Sequence, residues 1–285
     1  METDNYTIKC LDHGFVRLVD SMGDDQRIVD SARVSYGKGT KQLSKDKSLI
    51  SYLIEHKHTS PLEQVVFTFH IKMPIFIARQ HLRHRTARAN EYSGRFSEMK
   101  HEYYVPDVSR MNLQSKTNKQ GSDSEQIEHA DSWVKEMDLN ASLTFDLYQN
   151  LLELGLARET ARINLPLSTY TEFYWQIDLH NLMHYLKLRM DSHAQYEIQV
   201  YAKAMLRLIT PIVPLSVEAY EEYSFGSVTF SKTEMRILKE LLAVSVDEDG
   251  ALYNLKNYAR MAAYNNDWSE RRTNAFIEKI GLDKL

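Results

Sequence analysis

Arg83-His84-Arg85 is followed by seven residues and then Ser93, in the run RHRTARANEYS. Five arginines (Arg79, Arg83, Arg85, Arg88 and Arg95) fall in this one short window. Arginine is always charged and presents a planar fork of donors that matches phosphate or carboxylate. Several together point to a ligand with more than one anionic group, or to one phosphate plus a ring carbonyl. His84 adds a flat ring able to stack, hydrogen-bond or titrate near neutral pH. Glu91 would repel a phosphate, so it is expected to fix an arginine or to accept ribose hydroxyls. Ser93-Gly94 offers backbone N–H groups and close approach, both useful to a phosphate.

A second constellation is Leu188-Arg189-Met190-Asp191-Ser192-His193-Ala194-Gln195. Upstream of it, His180 and His184 stand four apart, a spacing that can hold a metal. No Glu or third ligand stands in the usual relation to them. No metal is expected; a buried polar pair, or a pair stacked on a flat cofactor, is the reading. Arg162, in ARETARINLP, is an isolated cation on a short helix. It is either an ion partner of Glu159 or part of a site.

Three chemistries compete for these residues. A nucleic-acid module interleaves basic and aromatic side chains. Against it stand the formal net charge of -4 and the lack of a second basic stripe. A phosphoryl-transfer enzyme with His84 as nucleophile would place Gly after the Arg-His pair, where this chain has Arg85. A small-molecule site for a nucleotide-like ligand meets neither objection. Cys10 is the only cysteine, which excludes a disulfide within the chain and argues against a cysteine metal site. The N-terminal METDNYTIKC has no apolar signal core, and no stretch approaches ~20 apolar residues. The expectation is a cytoplasmic protein with neither nucleic acid nor membrane as partner.

The elements that must position these residues can be read from period and punctuation. Val65–Met73 alternates apolar with polar residues as a half-buried strand does. Pro74 then opens a helix over Ile75–Arg83, so the arginine motif emerges where a helix hands over to a loop. The β-branched and aromatic run Thr169–Ile177 is a strand, and Asp178 caps the helix Leu179–Met190 that leads to Arg189. Other strands are expected at Phe15–Ser21 and Tyr103–Val105, and other helices from Gly23 to Tyr36 (stopped by Gly37-Lys38-Gly39) and at Lys45–His56, Glu125–Leu154, Ala157–Asn164 and Ala194–Ile209. Met111–Ser124 reads as a surface loop. Few strands among long helices imply an α+β fold with a mainly antiparallel sheet flanked by helices. Ser231 and Glu234 have capping-box spacing, and Ser269–Ile280 is a last helix. The expected division is a catalytic domain over 1–224 and a C-terminal helical extension over 225–285 packed on it.

At these residues the chain resembles the flavin-dependent thymidylate synthases. Arg-His-Arg, seven residues, then Ser is that family's signature. HTSPLE (58–63) with the strand and helix after it, ARETARINLP and LRMDSHAQYEI resemble further family blocks in the same order. The resemblance implies conversion of dUMP to dTMP, with methylenetetrahydrofolate giving the carbon and NADPH-reduced FAD the hydride. It implies a homotetramer with active sites between subunits. Cys10, near the terminus and in no cationic setting, would be ill-suited as the thiolate that the folate-only enzymes use. Carried over by position, Arg83, His84 and Arg85 match the FAD-binding triplet, and Ser60 a residue touching FAD. Glu91 matches a carboxylate shared by flavin and dUMP. Asp178, His180 and His184 fall in a second flavin-contacting segment. Gln80, Arg83, Glu91, Tyr92, Ser93, Gly94, Arg95, Arg162 and Arg189 match the dUMP pocket. Arg189 is the expected catalytic residue, a cation that stabilises the uracil anion as C5 becomes nucleophilic. Ser93, with no base beside it, is assigned to binding.

Overall fold

The structure, a computed structural model, describes residues 6–34, 43–116, 120–243, 251–266 and 268–282. In chain order the elements are β1 (Thr7–Cys10), β2 (Gly14–Met22), α1 (Asp25–Arg33), α2 (Leu43–Glu55), β3 (Val66–Pro74), α3 (Ile75–His81), β4 (Arg88–Glu91), β5 (Asn112–Gln114) and β6 (Ser122–Gln126). They continue with α4 (Ala130–Glu153), α5 (Arg158–Ala161), β7 (Tyr170–Asp178), α6 (Leu179–Arg189), α7 (Tyr196–Ile209) and α8 (Pro214–Tyr220). Helices α9 (Lys232–Ala243), α10 (Ala251–Tyr264) and α11 (Glu270–Lys279) complete the chain. Two compact units result, Met1–Phe225 and Gly226–Leu285.

In the first unit the sheet runs β1-β2-β3-β7-β4. Every pairing in it is antiparallel. The mixed α+β class expected from the sequence is what forms. Strands β3 and β7 are its centre, in a register that sets Phe67 opposite Ile177, Phe69 opposite Trp175 and Ile71 opposite Phe173. All six side chains are buried. Alternation thus sends one face inward, where Leu182, Met183 and Leu186 of α6 and Ile198, Ala202 and Met205 of α7 belong to the same core. Burying side chains of this size contributes about 1.5–3 kcal/mol each. Lys72 also falls inside the sheet region, and its ammonium is met by Glu102 at 2.7 Å.

Several local expectations need correction. Residues 111–124 are not a plain loop: β5 and β6 form an antiparallel hairpin with Asn112 opposite Gln126 and Gln114 opposite Ser122. Apart from Leu113 its strand residues are polar, which hides them from any periodicity test. The hairpin consumes the first residues expected for α4, which starts at Ala130. That helix stops as expected, with Gly155 at φ +83. Tyr103 makes only an isolated bridge to Thr169 in place of a strand. Strands β1 and β4 and helix α8 had no counterpart in the sequence reading. The expected stop of α1 at 37–39 lies outside the described residues. Among the described residues, no helix is long and apolar enough to cross a membrane.

The second unit has its own small core of Ile237, Ala259, Ala262, Phe276 and Ile277. The capping box forms as its spacing predicts: Ser231 N–H donates to Glu234 Oε2 at 2.6 Å, and Glu234 N–H donates to Ser231 Oγ at 3.3 Å. Ser269 caps α11 by accepting from Arg272 N–H.

Candidate active site

Helix α3 buries Ile77, Ala78 and His81 and leaves Arg79 exposed. It ends at His81, so Arg83, His84 and Arg85 emerge just past its C-terminus rather than on its last turn. Helix α6 meets them from the far end of β7. Asp178, extended at φ -76 and ψ 161, accepts from Asn181 N–H at 2.9 Å and so starts α6 one residue after the strand stops. Leu179, Leu182, Met183 and Leu186 bury one stripe of the helix, which fixes its rotation. Arg189 then falls in the last turn, where a cation suits the helix dipole.

These two elements build a first group of residues. Arg189 Nε–H donates to His84 Nε2 at 3.1 Å, and its Nη2 donates to the Gln80 carbonyl at 3.3 Å. Gln80 Nε2 donates in turn to Gln195 Oε1 at 2.6 Å. The His84 ring stands edge-on to Tyr185 (4.8 Å) and to His184 (6.0 Å). Burial first, then Arg189 and His184, push the His84 imidazole down to about 4. Beneath it His81 is fully buried, its Nδ1 sharing a 2.9 Å hydrogen bond with the Tyr185 hydroxyl and its ring 4.2 Å from Trp175. Burial holds His81 down at about 3. His180 is half-buried on the same helix, and His184, exposed, turns its ring to His84. Gln195 also lines a polar cleft of about 540 Å³ with Arg110, Asn112 and Glu197.

A second group gathers on β4 and the turn after it. Arg88 pairs with Gln176, Asn90 with Tyr174 and Glu91 with Phe173, which makes β4 the edge of the sheet. Tyr92 N–H extends the ladder to the Glu172 carbonyl at 2.8 Å. Glu91 Oε1 accepts from Thr171 Oγ1 at 2.7 Å, and among the described residues it pairs with no arginine. Ser93 then opens a turn in which Phe96 and Ser97 N–H both donate to its carbonyl at 3.1 Å. Its Oγ accepts from Arg95 N–H at 3.4 Å.

Gly94 is buried, and a Cβ there would lie 2.8 Å from Met99 Sδ, 3.1 Å from Arg162 Cδ and 3.2 Å from Arg162 Nη1. Arg162 therefore lies against the turn. The ion pair considered between Arg162 and Glu159 does not form; Glu159 takes Arg95 Nε instead, at 3.0 Å. Residue order hides this exchange because Glu159 is three residues from Arg162 and 64 from Arg95. Tyr92 donates its hydroxyl to the Glu98 carbonyl.

No hydrogen bond or ion pair between described residues links the two groups. Ser60 is exposed beside the short turn that precedes β3 and belongs to neither. None of Arg79, Arg83, Arg85, Arg88 and Arg162 is ion-paired to a described residue, though Arg95 is. A set of unneutralised guanidinium groups of this density suits phosphates and a polyanionic dinucleotide.

The family model for thymidylate synthase complementing protein matches residues 17–215. The flavin-dependent thymidylate synthase of Treponema denticola is 53% identical over 237 residues, covering 82% of this chain and 89% of that protein. The chain belongs to the flavin-dependent thymidylate synthases. Family members from Wolbachia pipientis (51% identical, 82% of this chain, 83% of that one) and Thermus thermophilus (51%, 85% and 88%) agree. Among solved structures, a UMP/dUMP methylase from Streptomyces cacaoi bound with 5-bromo-dUMP superposes with a TM-score of 0.70 at 32% identity. That match covers 76% of this chain and 99% of that one. The protein is accordingly a flavin-dependent methyltransferase. The family match ends at residue 215, before the second unit begins.

Proposed function

We propose that this enzyme converts dUMP to dTMP, with methylenetetrahydrofolate as carbon donor, FAD as the flavin and NADPH as its reductant. The observation that carries the reading is the pair of residue groups, each offering guanidinium N–H donors to an anion, in a chain of this family. Arg83, His84 and Arg85, with Ser60, Glu91, Asp178, His180 and His184, are assigned to FAD. Their donors, and the lack of acidic partners for Arg83 and Arg85 among the described residues, fit a diphosphate-bearing cofactor. Reduced FAD supplies the hydride when bound.

The chain's own residues do the rest. Arg162, Arg95 and the N–H groups of the Ser93–Gly94 turn hold the nucleotide phosphate. Gln80, Arg83, Glu91 and Tyr92 orient ribose and base. Arg189 is the catalytic residue: its guanidinium lies beside N3 and the adjacent carbonyl of the uracil and stabilises negative charge as C5 becomes nucleophilic. Two of its five N–H groups are committed to His84 and Gln80, which leaves three for the substrate. Ser93 binds; its Oγ has no base beside it to make it a nucleophile.

The two groups meet across subunits of a homotetramer, which supplies each nucleotide with residues from different chains. Exposed apolar side chains at Trp133, Met137, Leu143 and Leu147 of α4 support assembly. Residues 1–224 are the catalytic domain and 225–285 a helical extension. The enzyme works in the cytoplasm. The test is formation of dTMP from dUMP by the purified yellow protein with NADPH and methylenetetrahydrofolate. A colourless protein, or one that needs no flavin, would overturn the reading.

A further inference from the structure

Arginine at a catalytic position must be aimed, because its side chain has several rotatable bonds and a planar head. In this chain two contacts aim Arg189. One, to the Gln80 carbonyl, is a backbone contact that any residue at position 80 would offer. The other is to a side chain. The Nε–H of arginine is a donor with no acceptor capacity, so a 3.1 Å bond to His84 Nε2 requires a lone pair on that nitrogen. His84 is therefore the neutral tautomer with its proton on Nδ1.

The surroundings enforce this state. The imidazole is half-buried, faces His184 and rests edge-on against the ring of Tyr185. Tyr185 is itself pinned by its hydrogen bond to the fully buried His81. A proton on Nε2 would remove the guanidinium's acceptor, and with Nδ1 also protonated would set a second cation against it.

We propose that His84 is the positioning residue of Arg189, an obligatory acceptor that fixes the rotation of the catalytic guanidinium, and that Tyr185 with His81 forms the buried support holding the imidazole in place. This rests on the reading of Arg189 as the group that stabilises the uracil anion. It gives His84 a task toward the substrate that is separate from its part in holding flavin.

The role can be tested by reach. The side-chain oxygen of glutamine extends to about the place of imidazole Nε2, whereas that of asparagine stops near Nδ1. His84→Gln, His84→Asn, Arg189→Ala and the two double variants are assayed as purified holoenzymes. Flavin content, kcat, KM for dUMP, and dUMP affinity from the perturbation of the flavin spectrum are measured. Expected, per bound flavin, is a kcat in His84→Asn at least about tenfold below that in His84→Gln, whatever flavin each variant loses. In the Arg189→Ala background, replacing His84 by Asn should leave dUMP affinity unchanged. Equal kcat for the Gln and Asn variants, or additive effects on dUMP affinity with Arg189→Ala, would overturn the proposal. Full turnover by Arg189→Ala alone would instead overturn the underlying reading of Arg189.

Discussion

Single residues carry distinct burdens in the two groups. Arg189 is expected to be needed for chemistry rather than for folding or flavin retention. Arg189→Ala should lower kcat by about a hundredfold to a thousandfold, the scale of losing one preorganised stabilising group, and should leave the protein yellow. Turnover near wild type would refute the assignment. Ser93→Ala should keep measurable activity, since its Oγ accepts only a long bond from Arg95 N–H; complete loss would make Ser93 a nucleophile. Gly94 makes a sharper case. A methyl there presses on the Met99 sulfur and on the Arg162 side chain, both of which can move. Gly94→Ala is therefore expected to raise KM for dUMP about tenfold or more through displaced Arg162, while the thermal midpoint changes little. An unchanged KM would show that Arg162 does not serve the nucleotide.

At the scale of elements, the site depends on where a strand ends and a helix starts. Asp178 caps α6 and thereby sets the position of Arg189 three turns later. Loss of such a cap costs about 1 kcal/mol, so Asp178→Ala should lower the thermal midpoint by a few degrees. His81 and His84 add a pH dependence. Both imidazoles ionise only well below their ordinary 6.5 in the folded chain, at about 3 and about 4. The unfolded chain takes up these protons first as pH falls. Their contribution to stability is thus complete above about 6.5 and is lost as the pH drops through 6.5 toward 4 and 3. The thermal midpoint should decline between about pH 7 and pH 5, and less steeply in His81→Leu; a flat profile in the wild type would contradict the buried neutral state.

Elements also show what could be read from residue order alone. Strands β3 and β7 and the capped start of α6 were legible because burial on one face imposes a period and because Asp, Pro and Gly punctuate it. Strand β4 was not: Arg88, Ala89, Asn90 and Glu91 are all exposed on a sheet edge, so nothing alternates. The β5–β6 hairpin was hidden in a similar way, since Leu113 is the single apolar residue of its two strands. In the site, the arginine motif and Arg189 were evident from residue types, but the bond between His84 and Arg189 spans 105 positions and follows from packing of α3 against β7 and α6. The exchange of Glu159 from Arg162 to Arg95 was equally hidden, since spacing on α5 favours the wrong partner.

For the whole molecule, the decisive feature is that no hydrogen bond or ion pair between described residues joins the two residue groups within one chain. If they meet between subunits, a chain lacking Arg162 and a chain lacking Arg189 carry complementary defects. Mixed tetramers made by dissociating and reassociating Arg162→Ala with Arg189→Ala should regain activity that neither has alone. No recovery, with mixed tetramers verified by mass, would place each site within one chain. The second unit, with its separate core, lies beyond the family match and is expected to contribute stability rather than substrate contacts.

The most direct test of a nucleotide held beside a flavin by these arginines is a dUMP titration of the purified holoprotein, followed through the flavin absorbance. Expected is a saturable perturbation in the wild type that is weakened at least tenfold in Arg162→Ala and in Arg189→Ala. A flavin spectrum indifferent to dUMP, or one that dUMP perturbs in both variants as readily as in the wild type, would contradict it.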